Sequence, residues 1–220
     1  MDRGINSKER VKEFGEVFTP DSIVNDMLDL VKEQLPEDES YITKTFLEPS
    51  CGDGQFLIRI LYRKLVQVKK LPLEQRQLAL IKALSSIYGI DIQSDNVLNA
   101  RNRMFRIATG EQVETFDLND KTQFIQIDLG IKYTAQLKNV IGYILENNII
   151  VGNTLADNDY EHNPNGQVEL TSYYFNDTTR RVSIARAPLS DLTNEYDRTE
   201  EVDVMNIINL QFNDEEIYDF

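Results

Sequence analysis

Apolar positions along this 220-residue chain switch repeatedly between a helical period and short continuous runs, and that switching sets the expected elements. Ile23, Val24, Met27, Leu28, Val31 and Leu35 fall on one helical face, behind Thr19 as N-cap and Pro20 as first helical residue. Asp21 then suits the positive first turn. After a charged link from Pro36 to Ser40, Thr45 to Glu48 opens a first strand. Phe56, Leu57, Ile60, Leu61 and Leu65 return to helical spacing, closed by Lys69-Lys70-Leu71-Pro72. A further helix from about Leu73 to Ser85 feeds a strand from Ser86 to Ile92. Ser94 is the expected N-cap of a helix over Asp95 to Thr109, with Gly110 ending it. Gln112 to Asp120 reads as loop, and Phe124 to Asp128 as a short alternating segment with no fixed place in a sheet. Tyr133 to Glu146 turns Leu137, Val140, Ile141, Ile144 and Leu145 inward and leads into a third buried strand, Asn148 to Asn153.

Strands alternating with helices at these lengths predict an α/β fold: a parallel sheet with helices on both faces. The pattern changes after Leu155. Val168 to Phe175 and Arg180 to Ala187 are rich in β-formers around Asn176-Asp177-Thr178, which predicts a β-hairpin. Val202 to Phe212 is apolar enough for one last element, strand or helix. The expected division is therefore a domain over residues 1–155 and an extension with a hairpin over 156–220. Residues 1–12 are polar and expected to lack order before Phe14.

A hydrophobic content of 41% supports a real core, and no apolar run approaches the length of a membrane span. The N-terminus does not read as a secretory signal. Cys51 is the only cysteine, so no disulfide forms within the chain and a cytoplasmic location is expected. His162, the only histidine, is far from Cys51 in sequence, which favours a packed turn residue over a nucleophile. No metal is expected. The net charge of −14 is uneven: residues 1–150 hold 19 basic and 22 acidic side chains (−3), residues 151–220 hold 4 and 15 (−11). A DNA-binding surface needs cations, and Lys8, Arg10, Lys12, Arg101, Arg103 and Arg106 are the candidates. The acidic extension would be repelled by DNA; it suits solubility or a protein partner.

The chemistry concentrates in Phe46-Leu47-Glu48-Pro49-Ser50-Cys51-Gly52-Asp53-Gly54-Gln55-Phe56-Leu57. A strand breaks into a glycine turn and enters a helix, a form that lets a nucleotide-like ligand approach the backbone and the helix amides. Tyr88-Gly89-Ile90-Asp91-Ile92 then supplies a second strand ending in an acid, where a ribose hydroxyl pair needs an acceptor.

Together with Gly15-Glu16-Val17-Phe18-Thr19-Pro20, these segments resemble the first landmarks of adenine-specific (N6) DNA methyltransferases whose cofactor motifs precede the catalytic one. The resemblance covers roughly residues 13–155 and implies a Rossmann-like sheet binding S-adenosylmethionine (SAM). On that resemblance Phe18, Thr19 and Pro20 close over the methionine, and Glu48 holds its α-ammonium. Pro49 shapes the turn, Gly52 and Gly54 let the backbone pass the ligand, and Cys51 and Phe56 complete this part of the cofactor-binding set. Asp91 holds the ribose hydroxyls, and Ile92 lies against the adenine.

The catalytic Asn/Asp-Pro-Pro-Tyr/Phe of that family is absent. Ile150-Val151-Gly152-Asn153-Thr154-Leu155 has two readings: Asn153 accepts from the cofactor's adenine amine, or Thr154-Leu155-Ala156 replaces Pro-Pro-Tyr. Tyr160, Tyr173 and Tyr174 are candidates to stack a flipped base, and Asn163-Pro164-Asn165 reads as a turn. The implied function is methyl transfer from SAM to adenine in DNA, alone or with a second subunit. The alternatives are an inactive homologue that binds a protein or mimics DNA, and a subunit completed by another chain.

Overall fold

The computed structural model describes residues 19–116, 122–154, 168–177, 181–189 and 203–206. Helix α1 (Asp21–Leu30) is followed by a 3-10 turn (Glu39–Thr43) and strand β1 (Phe46–Glu48). Helices α2 (Gln55–Lys70) and α3 (Leu73–Ser85) lead to β2 (Ile87–Asp91). Helix α4 (Ser94–Ala108), a hairpin of β3 (Val113–Phe116) and β4 (Thr122–Ile125), and helix α5 (Ala135–Asn148) lead to β5 (Ile149–Val151). Strands β6 (Glu169–Asn176), β7 (Arg181–Pro188) and β8 (Asp203–Asn206) follow. The molecule is thus mixed α/β with a C-terminal hairpin, as expected.

Strands β1, β2 and β5 form a parallel sheet with β2 in the centre. The order advances in one direction, and right-handed crossovers taken in one direction put their helices on one face. The packing agrees. Ile87 and Ile149, on one face, share a core with Leu57, Leu61, Leu84, Val97, Ala100 and Leu145 from the helices. On the other face Tyr88 and Ile90 cluster with Val168 and Leu170. The Tyr88 hydroxyl donates to the Thr171 carbonyl at 2.7 Å, and a Cβ on Gly152 would lie 2.6 Å from Val168 Cγ2. The expectation of helices on both faces is therefore corrected: among the described residues the second face is covered by β6–β7.

Other differences have local causes. Helix α1 stops at Leu30 and buries only Asp21, Val24 and Leu28, leaving Ile23, Met27 and Val31 exposed. Polar contacts hold it to α2: Asp21 pairs with buried Arg59, and Arg63 reaches Asp29 and the Asn25 carbonyl. The segment expected as loop after Gln112 contains β3, because Val113 and Ile125 pair in register and are both buried. The ambiguous last element is, over Asp203–Asn206, a strand paired with β7.

Lys64 lies inside the molecule with 0% of its surface exposed. Its Nζ shares three N–H donors among four oxygens: the carbonyls of Tyr41, Ile42 and Lys44 at 3.1, 2.9 and 2.5 Å and Ser86 Oγ at 2.7 Å. The rings of Tyr41 and Phe46 face it at 5.7 and 5.1 Å. One side chain thus fastens the 3-10 turn to the entry of β1 and to the end of α3, and burial pushes its pKa down to about 7. Among the described residues no helix is long and apolar enough to cross a membrane. Lys64→Ala strands those acceptors in a closed interior, so urea denaturation should register a loss of about 3 kcal/mol. A loss below about 1 kcal/mol would contradict this placement.

Candidate functional site

The glycine turn is fixed by two close approaches. Gly52 and Gly54 have φ of 53° and 87°, the left-handed region that favours glycine. A Cβ on Gly54 would meet Ala100 Cβ at 2.8 Å, and one on Gly89 would meet Leu57 Cδ1 at 2.6 Å and Cys51 Cβ at 3.2 Å. Glycine at these positions lets the start of α2 press against α4 on one side and β2 on the other. The Cys51 amide then donates to the Ile90 carbonyl at 2.8 Å, continuing the sheet into the turn.

Asp91 closes the arrangement. Its Oδ2 accepts from the Gly52 amide at 2.8 Å, and its Oδ1 accepts from the Gln93 amide at 2.9 Å and from Asn96 Nδ2 at 3.3 Å. Beyond β5 the Gly152 amide donates to the Asp91 carbonyl at 2.9 Å, and Thr154 Oγ1 donates to the Pro49 carbonyl at 3.2 Å. The chain after β5 thus crosses the tip of β2 to reach the turn after β1. Pro49, Gly52, Asp91 and Asn153 are gathered at the carboxyl end of the sheet. Ile92 and Val151 stand beside Asp91 with 53% and 47% of their surfaces exposed.

Glu48, at the tip of β1, is half-buried, and burial raises its carboxyl above the usual range, opposed by the Ser50 amide. Among the described residues it makes no salt bridge. Burial, with the carboxylates of Asp91 and Glu48 adding to it, also pushes the Cys51 thiol far up. Such a thiol is not a nucleophile. Phe56 packs half-buried against the core. Thr19 and Pro20 are half-buried just ahead of α1, whose Asp21 is tied through Arg59 to the helix that starts at the glycine turn. Phe18, Tyr160, His162, Asn163, Pro164 and Asn165 lie outside the described residues. Tyr173 is engaged in packing, its hydroxyl donating to Asn148 Oδ1 at 3.0 Å, whereas Tyr174 is 45% exposed.

Of the arginines expected to face DNA, Arg101 and Arg103 turn to the protein itself, whereas Arg106 stays exposed. Arg101 donates to the carbonyls of Ile149 and Glu146 at 2.8 and 3.0 Å. Arg103 pairs with Asp53 at 2.7 Å and reaches Gln55 and the Glu114 carbonyl. Arg106 donates to the Gln112 carbonyl at 2.6 Å. Lys8, Arg10 and Lys12 lie outside the described residues. The sequence reading overlooked Asn96 and Arg103 as parts of this site. Asn96 carried a usable signal: a polar residue beside Val97 on the buried face of α4 needs a partner.

Two measurements test this geometry. An acid with a raised pKa destabilises the native state once ionised, a cost that sets in as pH rises from 4.5 through the elevated value. Glu48→Gln should therefore raise the melting temperature at pH 7 and leave it unchanged near pH 4; a fall at pH 7 would contradict the assignment. Native protein at pH 8 should resist iodoacetamide at Cys51, and rapid labelling would show an accessible thiolate instead.

Comparison of the chain with protein-family models, with curated proteins and with solved structures returns no match.

Proposed function

We propose that this chain binds SAM across the carboxyl ends of β1 and β2 and serves methyl transfer to adenine N6 in DNA. The observation that carries the reading is the joining of the glycine turn to the Asp91 carboxylate through the Gly52 amide, beside a second acid at the next strand tip. On this reading the three parallel strands are part of a Rossmann-like methyltransferase sheet, whose ligands lie outside the carboxyl ends.

The residues present suit the cofactor. Glu48 is a half-buried carboxylate with no salt bridge among the described residues, and an α-ammonium would supply the missing cation. Asp91 holds the ribose, Ile92 offers an exposed apolar surface to the adenine, and Gly52 and Gly54 keep side chains out of the path. Phe18, Thr19 and Pro20 close over the methionine end. Asn153 accepts from the adenine amine. An acidic crevice favours a sulfonium ligand without phosphates over a dinucleotide. When bound, the cofactor supplies an electrophilic methyl group on its sulfonium.

Methylation of an exocyclic amine also requires acceptors that polarise it and an aromatic that stacks the flipped base. The chain lacks the Asn/Asp-Pro-Pro-Tyr segment that brings both together, and Arg101 and Arg103 are engaged within the protein. We assign those tasks to a second subunit that also grips the DNA. The charge of −11 over residues 151–220 favours a second reading, a non-catalytic homologue whose extension binds a protein partner.

Calorimetric titration with SAM and its demethylated product tests the first step. Binding should strengthen as pH rises through the elevated pKa of Glu48, and Glu48→Gln should weaken it about tenfold and flatten that pH dependence. No binding at millimolar cofactor would sink the proposal. Label passing from SAM to adenine in DNA only when a partner subunit is added would separate the two readings.

A further inference from the structure

Asp91 is almost closed to ligands, and the way it is closed is specific. A carboxylate offers about four acceptor positions, two on each oxygen. Oδ1 accepts from the Gln93 amide at 2.9 Å and from Asn96 Nδ2 at 3.3 Å, which fills it. Among the described residues Oδ2 accepts from the Gly52 amide alone, at 2.8 Å. Asp91 keeps 8% of its surface exposed, and Asn96 keeps 3%. Vacating Oδ1 for a ligand would leave either the Gln93 amide, at the start of α4, or the buried Asn96 amide without its acceptor. A buried donor left unpaired costs more than a neutral hydroxyl returns.

We propose that Asp91 takes a single ribose hydroxyl, at Oδ2 beside the Gly52 amide, and that Asn96 sets this limit as a positioning residue. The site then tolerates a nucleoside lacking the other hydroxyl. This rests on the SAM reading and replaces the expected grip on both hydroxyls with a grip on one.

The test is calorimetry on the full chain with S-adenosylhomocysteine and with its 2′-deoxy and 3′-deoxy forms. One deoxy form should lose about tenfold or more in affinity, and the other should bind within about twofold of the parent. Asn96→Leu opens Oδ1 and should make the tolerated form discriminated as well. A general loss of structure would weaken all three ligands together and leave their ratios unchanged. Wild-type protein that loses tenfold with both deoxy forms, or with neither, overturns the inference while leaving the SAM site standing. A folded Asn96→Leu variant with the wild-type ratios overturns the role of Asn96. Failure to bind the parent compound overturns the proposed function, and this inference with it.

Discussion

The carboxylate of Asp91 is the point on which the rest of the candidate site depends. It joins three segments that are distant in sequence or differ in type: the glycine turn through Gly52, the entry to α4 through Gln93, and the buried face of α4 through Asn96. Its own carbonyl receives the Gly152 amide from the chain leaving β5. A hydrogen bond to an ionised acceptor contributes about twice as much as one between neutral groups. Here it also fixes the left-handed Gly52, which no regular structure would hold. Any ligand at the strand tips meets a turn already set in shape, so little ordering remains to oppose binding.

The second face of the sheet ties the acidic extension to this end of the molecule. β6–β7 is no detached appendage, because Val168 and Leu170 complete the core around Tyr88 and Ile90, the residues that alternate with Gly89 and Asp91 along β2. Gly152 must be glycine for Val168 to sit where it does, and Gly152 begins the crossing from β5 to Pro49. Lys82, bonded to Asp177 at 2.7 Å, and Arg186, bonded to Asn147 at 2.8 Å, hold the hairpin to the helices. Displacing the hairpin would therefore disturb β2 and β5 at their tips.

Legibility in the sequence followed the range of the interactions concerned. Helices α2, α3, α4 and α5 and the three parallel strands were readable because each is specified by its own periodicity or apolar run. The hairpin was readable from its β-formers and the polar residues between them. What covers the second face was not, since it follows from strand order, and order depends on pairings between segments far apart. Lys64 shows the same limit: a helical wheel places it on the apolar face among Leu57, Ile60, Leu61 and Val68, but only the docking of the 3-10 turn gives its amine three carbonyls. The outward turn of Ile23 and Met27 was hidden because Arg59 and Arg63 take the place of apolar partners on α2. At the site, Gly52, Gly54 and Asp91 announced themselves by motif, whereas the partners that restrict Asp91 did not.

Charge placement gives the last constraint. A protein that binds DNA by itself gains most of its affinity from cations presented to phosphate. In this chain the arginines on α4 have another use: Arg101 anchors the end of α5 and the start of β5, and Arg103 binds the turn residue Asp53 and the β3 backbone. Freeing Arg103 for phosphate would remove a support from the glycine turn, and freeing Arg101 would loosen the junction of α5 and β5. The same guanidinium cannot hold the glycine turn rigid and also grip a duplex. Residues 151–220, at −11, add repulsion rather than attraction. Under the proposed function a division of labour follows, in which this chain would set the cofactor crevice and a partner with a basic surface would present the base, the acidic extension being well suited to meet that partner's positive charge.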